Sequence, residues 1–415
     1  MYRLFYTLLY HTVASVILPF DFLKRDKELK KVWLLNKLGI FTSKTSLQKK
    51  VVWVHSVSVG EVMAVSSLIK TLSKDFSVLV STITDTGYRV AKEKFKGLDV
   101  EVIFLPLDCP FAIKRLIKHF SPSILLITET ELWPNLICET AKVCPVVLVN
   151  GRLGERSFKR YKKIKFFVKK ILNAFRIIGV QNETYKERFL ELGANPEKVK
   201  VLGNTKFDIE IEDKDFPWEK CLKHPVVLAG STHSPEEKLI LETFLDLPEV
   251  STLLIAPRHP QRFKEVEDLI KGLVPSDVKF FKLTKIENKS EFPGERRVIL
   301  IDKIGVLASL YRVCDIAIIG GSFIPHGGQN PLEAIYWKKP VIFGPYMFNF
   351  PFIKEFVDKG LCIQVKDTEL KKVLKELSEN ESKRRSLGEG AYEVFTKYRG
   401  ATERTLKLVY ELLKG

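Results

Sequence analysis

Two stretches of this 415-residue chain carry carboxylates in settings suited to proton transfer. In His55-Ser56-Val57-Ser58-Val59-Gly60-Glu61, Gly60 permits a tight turn, and Glu61 falls at or near a helix N-terminus, where the macrodipole favours the ionised form. An ionised carboxylate facing a ligand can take a proton from a hydroxyl nucleophile. The competing reading is a glutamate that only complements the dipole. The second stretch is Thr128-Glu129-Thr130-Glu131-Leu132-Trp133-Pro134-Asn135, directly after an apolar run. Two carboxylates at one strand end raise each other's pKa unless a cation or substrate intervenes. That directs Glu129 toward a ligand, leaving Glu131 to cap or orient the next helix and Trp133 to pack.

Three further strand ends offer cations and hydroxyls: Asn204-Thr205-Lys206, Ser231-Thr232-His233 and Arg258-His259. Arginine forks onto phosphate or carboxylate and hydroxyls donate to either, so the set implies an anionic ligand. Each alone reads equally as a helix cap. The most specific stretch is Gly320-Gly321-Ser322-Phe323, followed by Gly327-Gly328-Gln329-Asn330-Pro331-Leu332-Glu333-Ala334. Gly327 and Gly328 are expected to let backbone N–H groups approach a phosphate at the start of a helix that Pro331 opens. Glu333, one turn inside, is placed to accept both hydroxyls of a ribose. Neither GxGxxG nor GxxxxGK[ST] occurs, which disfavours a nicotinamide cofactor or a P-loop NTPase. The six cysteines form no CxxC pair and the seven histidines no HExxH, so no metal is assigned and reduced cytosolic thiols are expected.

Such groups need a scaffold that ends its strands in one place. From residue 51, short β-rich apolar runs (51–56, 77–84, 101–106, 123–130, 145–151, 176–182) alternate with amphipathic stretches. That rhythm predicts right-handed crossovers and a parallel sheet covered on both faces, a doubly wound α/β domain. Residues 208–224 are acidic and non-periodic, and the rhythm then restarts with 225–231, 252–259, 298–302, 314–321 and 340–345. The expected organisation is an N-terminal membrane-associating segment 1–48, a Rossmann-like domain 49–207, a linker 208–224 and a second Rossmann-like domain 225–415. The carboxyl ends of both sheets are expected at a shared cleft. The last amphipathic stretch, 400–414, is a candidate to cross back onto the first domain.

Composition narrows the partners. A hydrophobic fraction of 45% and a charged fraction of 28% exclude bulk disorder and a polytopic membrane protein. Lysine and arginine number 67 against 50 acidic residues, a net charge of +17 that calls for an anionic partner. Residues 4–20 form an apolar run followed by Lys24, Arg25, Lys27, Lys30 and Lys31. The run is slightly short of the roughly 20 residues of a spanning helix, so a tilted span and an interfacial helix both stay open, with a buried first helix as the alternative. The basic residues after it would keep the body cytoplasmic; a signal peptide would carry them before it. Residues 152–176 read as a basic helix striped with Phe158, Tyr161, Ile164, Phe167, Ile171 and Phe175, suited to an anionic membrane surface or to ordinary core packing. No nucleic-acid motif accompanies the charge, so nucleic acid is not expected.

The strings HSVSVGE, TETELWPN, NGRLGERS, GNTKFD, AGSTH, APRHP, IGGSF, GGQNPLEA and PVIFGP occur in order from about residue 51 to the 350s. Together they resemble the Kdo transferases, the 3-deoxy-D-manno-octulosonic acid transferases. The resemblance implies a GT-B glycosyltransferase of lipopolysaccharide biosynthesis. It would move Kdo from CMP-Kdo onto a lipid A precursor (lipid IVA), with inversion, at the cytoplasmic face of the inner membrane, without a cofactor or metal. It further implies Glu61 as catalytic base and Glu129 and Lys206 as supports of the transition state. Pro257, Arg258, the tripeptide Gly305-Val306-Leu307, and Asn330, Pro331, Leu332 and Glu333 match the family's CMP-binding segments. Two positions depart from the family pattern. Pro235 replaces the usual glycine after Ser-Thr-His and is expected to serve as a first helical residue. Val306 stands where many relatives are acidic, so backbone contacts alone are expected there. Rival readings are another GT-B nucleotide-sugar transferase or an epimerase of the same fold, and, outside enzymes, a basic membrane- or RNA-binding module.

Overall fold

The computed structural model describes residues 2–42, 49–289, 291 and 293–414. The expected boundary at residue 48 lies outside the described residues. The chain forms two compact units, Met1–Asp208 with Tyr398–Gly415, and Ile209–Lys397.

The first unit is built on a parallel seven-stranded sheet. Its strands are β1 (Val51–His55), β2 (Ser77–Thr82), β3 (Val100–Phe104), β4 (Pro122–Thr128), β5 (Val146–Gly151), β6 (Ile177–Val180) and β7 (Val199–Val201), in the order β3-β2-β1-β4-β5-β6-β7. Alternate residues face opposite cores. Val51 and Trp53 join Leu79 and Leu125 on one side, whereas Val52 and Val54 join Val80 and Leu126 on the other. Both faces are dry, which is why these strands read as continuous apolar runs.

The second unit repeats the plan with β8 (Val226–Thr232), β9 (Thr252–Pro257), β10 (Val278–Lys282), β11 (Arg296–Leu300), β12 (Ile316–Ile319), β13 (Val341–Phe343) and β14 (Ile363–Gln364). The order is β10-β11-β9-β8-β12-β13-β14. The runs read from sequence contain neither β10 nor β14. Both are edge strands, one interrupted by Lys279 and Lys282 and the other two residues long, and edges are where charge and brevity are tolerated. In each sheet the winding direction reverses once, between β1 and β4 and between β8 and β12, leaving a crevice at the carboxyl ends of those strands.

Three expected boundaries are corrected. The C-terminal helix Ala401–Lys414 belongs to the first unit: Leu408, Val409 and Leu413 pack with Val52 and Val54. Asp208 caps its start, accepting from Gly400 N at 2.6 Å and Thr402 N at 2.5 Å. The stretch 208–224 is no free linker. From Ile209 onward it belongs to the second unit, where Trp218 is fully buried and Arg312 holds Asp213 and Glu219 at 2.7 and 2.6 Å. The basic stretch 152–176 forms two helices, Glu155–Lys163 and Lys165–Leu172, broken at Ile164. Phe158, Ile171 and Phe175 are core residues, whereas Phe166 is 74% exposed among lysines.

The apolar N-terminus forms helix α1 (Tyr2–Lys24), followed by α2 (Lys27–Lys37). One side of α1 is tied to the first unit. Arg3 reaches Asn135 and Glu139, Tyr6 Oη donates to Asp108 at 2.8 Å, and Thr7 Oγ1 accepts from Asn135 Nδ2 at 2.9 Å. The other side leaves Leu4, Phe5, Leu8, Val16 and Phe20 at least 60% exposed. The helix is long and apolar enough to cross a membrane by length and composition.

Candidate active site

At the first crevice, β1 leads into helix α3 (Val59–Ala64), with Glu61 in its first turn. The Glu61 carboxylate is held from behind: Oε2 accepts from Val57 N at 2.8 Å and Oε1 from Ser58 Oγ at 3.3 Å. Burial pushes its pKa up to about 7; the Val57 N–H pulls against this, and the Glu129 and Glu131 carboxylates add repulsion. A carboxylate titrating near neutrality is a far stronger base than an ordinary glutamate while still ionising at physiological pH. The turn beneath it is fixed by a buried hydroxyl chain, Ser56 Oγ to Thr128 Oγ1 at 2.7 Å and Thr128 Oγ1 to His55 O at 2.7 Å. His55 is fully buried, and desolvation pushes its pKa down to about 4, so it stays a neutral structural imidazole.

Glu129 follows β4 in the left-handed region (φ +58°) and is 8% exposed. Its Oε2 lies 2.6 Å from Arg152 Nε and its Oε1 3.7 Å from Lys206 Nζ. Three strand ends, those of β4, β5 and β7, thus converge on one carboxylate. Burial lowers the Lys206 pKa, with Glu129 pulling it back up. Asn150, also left-handed (φ +53°), accepts from Thr205 N at 3.1 Å and ties the end of β5 to the Lys206 turn. Non-glycine residues held at positive φ cost roughly 1–3 kcal/mol each and cluster where geometry matters more than stability. Glu131 accepts from Trp133 Nε1 at 2.8 Å, and burial raises its pKa. The two opposite charges on Glu129, Arg152 and Lys206, answer the repulsion anticipated from the paired carboxylates. Arg152 is absent from the sequence-derived set, although it stands just past the end of β5, where the strand-end rule would have found it.

At the second crevice, Ser231 is left-handed (φ +57°), and Thr232 and His233 are buried beside the turn after β12. The residue that joins the two turns is Glu236, 1% exposed and absent from the sequence-derived set. Its Oε2 accepts from His233 N (2.9 Å) and Gly321 N (2.7 Å), and its Oε1 from Ser322 N and Phe323 N (2.9 Å each). Burial raises its pKa and the four amides oppose the rise. The signal was a glutamate three residues after His233 at a helix start, the spacing of a capping box. The His233 ring lies 4.3 Å from that of His326, tilted by 37°, and 5.5 Å edge-on to that of His259; burial and these neighbours push its pKa down to about 4. Pro235 stands immediately before the helix Glu236–Leu245 instead of inside it.

Of the remaining expected residues, Leu307 lies beside Gly230 and Tyr311. A Cβ on Gly230 would sit 2.0 Å from Tyr311 Oη and 3.3 Å from Leu307 Cδ1, so this glycine is required by close approach. Asn330 Oδ1 accepts from Leu332 N at 3.2 Å and its Nδ2 donates to Glu333 Oε1 at 3.4 Å; Pro331 precedes the short helix Leu332–Tyr336. Burial raises the Glu333 pKa, opposed by Asn330 and by the charge of Arg258. Pro257 closes β9, and Arg258 is exposed, its N–H donating to Thr232 O at 3.0 Å. Gly305 is exposed at φ +82°, whereas Val306 is buried in the core. The expected phosphate cradle is corrected at Gly328. Its N–H donates to Gly321 O at 2.8 Å, and a Cβ there would sit 2.1 Å from Met347 Sδ, so close packing explains this glycine. Gly327 packs likewise against Phe348 and Asn349. Among the described residues no cluster of three or more His, Cys, Asp or Glu could hold a metal ion.

Residues 34–209 match the profile of a family described as 3-deoxy-D-manno-octulosonic-acid transferase (kdotransferase). The chain is 35% identical to a 3-deoxy-D-manno-octulosonic acid transferase of Haemophilus influenzae, covering 100% of this chain and 99% of that protein. It is 33% identical to one of Rickettsia felis over 82% of this chain and 75% of that protein. Among solved structures it is similar to a UDP-N-acetylglucosamine 2-epimerase (TM-score 0.57, 14% identity, 88% of this chain and 96% of that one). It is also similar to HepE of Anabaena in complex with UDP (TM-score 0.55, 14% identity, 88% and 100%). At such identities the likeness concerns the fold alone, which is GT-B.

Proposed function

Because the chain belongs to the 3-deoxy-D-manno-octulosonic acid transferase family of glycosyltransferases, we propose that it moves Kdo from CMP-Kdo to a lipid A precursor, with Glu61 as general base. The observation that carries the base assignment is the Glu61 carboxylate, pushed up to about 7 and fixed by Val57 and Ser58 beside the Glu129-Arg152-Lys206 cluster. In this reading an acceptor hydroxyl donates to Glu61, which takes its proton as the oxygen attacks the anomeric carbon of Kdo. The bond from that carbon to the phosphate oxygen breaks, CMP departs with the electron pair, and the configuration inverts. Arg152 and Lys206, held by Glu129, set two cations beside the proposed base, where they oppose the carboxylate charge and favour negative charge developing on a reacting group. Arg258, Asn330 and Glu333, with Ser231 to His233, are assigned to the CMP moiety: Glu333 suits ribose hydroxyls and Arg258 an anionic group. No metal or cofactor enters this scheme.

We assign the enzyme to the cytoplasmic face of the inner membrane, with α1 lying in the interface. Spanning would strip Arg3, Tyr6 and Thr7 from their partners on the first unit, whereas an in-plane helix keeps them and buries the outward Leu4, Phe5, Leu8 and Phe20. The exposed Phe166 with Lys170 above its ring adds a basic, apolar contact. The test is a coupled assay generating CMP-Kdo in situ with a tetraacylated lipid A precursor, followed by lipid mass spectrometry. Wild type is expected to add at least one Kdo, and Glu61→Gln to lose about 10²–10⁴-fold in rate while staying folded. No mass shift from folded, membrane-competent wild type would refute the reading.

A further inference from the structure

Between α1 and the carboxyl end of the first sheet lies a cavity of about 180 Å³. Val13, Ala14 and Ile17 of α1 form one wall, and Ile83, Leu107 and Trp133, from the loops after β2, β3 and β4, form the other. Of the polar groups around it, Asp21 is exposed and the buried Trp33 Nε1 and Arg25 Nε have no hydrogen-bond partner among the described residues, while the rest are engaged within the protein. Lys37 Nζ donates to Leu105 O at 2.9 Å, Arg25 pairs with Asp85, and Asp108 accepts from Tyr6 and from the Asn135 and Leu136 amides. What remains for an occupant is mainly apolar surface, and the burial that pushes Lys37 down to about 8 marks the same dryness. An apolar cavity of roughly 150 Å³ stays dry and takes a guest the size of benzene. This one therefore suits about six or seven carbons of a chain and is too small for a sugar headgroup.

Its two ends identify the chain. Val13 and Ile17 are 47% and 48% exposed, so the cavity wall is continuous with the outward apolar face of α1. On the inner side, Ile83 N donates to Val57 O at 3.3 Å, and Val57 N in turn holds Glu61 Oε2; Trp133 Nε1 holds Glu131. The cavity thus connects the lipid-facing surface to the turn that positions the base. We infer that it holds one fatty-acyl chain of the lipid acceptor, anchoring the acceptor so that its hydroxyl reaches Glu61 and selecting for chain length. The inference rests on the lipid-glycosylating function proposed above.

The test uses the full chain on phosphatidylglycerol-containing vesicles and a tetraacylated glucosamine disaccharide carrying a diazirine near the end of one chain. Photolysis is expected to label peptides containing Val13 to Ile17 and Leu107. Unlabelled acylated disaccharide should compete and added phosphatidylglycerol should not. Ala14→Phe and, from the opposite wall, Leu107→Phe should each reduce this labelling about tenfold while vesicle binding and melting temperature hold. Two wall positions keep the test decisive if one variant misfolds. Shortening the corresponding chain of the unlabelled competitor by two carbons should weaken its competition roughly fifteenfold, since each buried methylene is worth about fourfold. Adducts confined to Leu4, Leu8 and Phe20, or equal competition by phosphatidylglycerol, would overturn the inference. Kdo transfer is assayed in the same vesicles. Specific labelling without transfer would support the cavity assignment and refute the transferase reading, whereas transfer without labelling would refute the cavity assignment alone.

Discussion

Replacing Glu61 by glutamine should cut turnover by about 10²–10⁴-fold and yet stabilise the protein above neutral pH. The carboxyl ordinarily ionises near 4.5 and is here pushed up to about 7, chiefly by burial. Because the folded-state value lies above the unfolded one, the folded protein holds an extra proton between those limits. Stability therefore falls as pH rises through the window from 4.5 to 7 and levels off above it. The distance between the two values corresponds to roughly 3 kcal/mol at most for carrying the ionised base. Glutamine cannot ionise, so Glu61→Gln should match wild type near pH 4.5 and exceed it by about 1–3 kcal/mol at pH 8. For a unit of this size that is a rise of ~2–4 °C in melting temperature per kcal/mol. Calorimetric melts of both proteins from pH 4.5 to 8.5 measure the difference, in which the titration of all other groups cancels. In wild type, log kcat/KM should climb with unit slope and break near pH 7. A stability difference independent of pH, or a kinetic break near 4.5, would refute the assignment of Glu61 as an elevated base.

Glu129→Gln removes one of the two carboxylates that repel the ionised Glu61, so the break in the pH–rate profile should move to lower pH while kcat falls; an unmoved break would show that Glu129 does not act on the base. Glu236→Ala leaves four buried backbone N–H groups without their acceptor and should cost about 3 kcal/mol or more, read as faster amide exchange at Gly321 to Phe323 in the second unit only. Leu8→Glu on the outward face of α1 should release the protein from anionic vesicles in a flotation assay without changing its melting temperature; retained binding would place the membrane contact elsewhere. Asp208→Ala frees the Gly400 and Thr402 amides and should cost about 1 kcal/mol, loosening Ala401–Lys414 in hydrogen exchange.

Much of the architecture is legible in the chain because it depends on local pattern. Buried parallel strands must be apolar on both faces, so the runs around Trp53, Leu125 and Val227 announce themselves, and the polar residues following them mark Glu61, Glu129, Ser231 and Gly320 as strand-end groups. The resemblance of ordered motifs then supplied roles that spacing alone left open between base and dipole partner. What the chain could not disclose are contacts that exist only after the strands are ordered. Glu129, Arg152 and Lys206 are brought together because β4, β5 and β7 end on the same side of one sheet. Glu236 meets the Gly321 turn, 85 residues along the chain, because β8 and β12 are neighbours in the sheet. The packing rather than ligand-binding demand at Gly328 likewise arises from surfaces assembled by distant segments, whereas the amphipathic pattern of 400–414 already marked it as a candidate to return to the first unit, where Ala401–Lys414 lies. Local periodicity dictates which residues are buried and where strands end; the sheet order, a global balance of packing and chain connection, decides which of those ends meet and hence that, among the described residues, Glu129 is paired with cations while Glu61 is not.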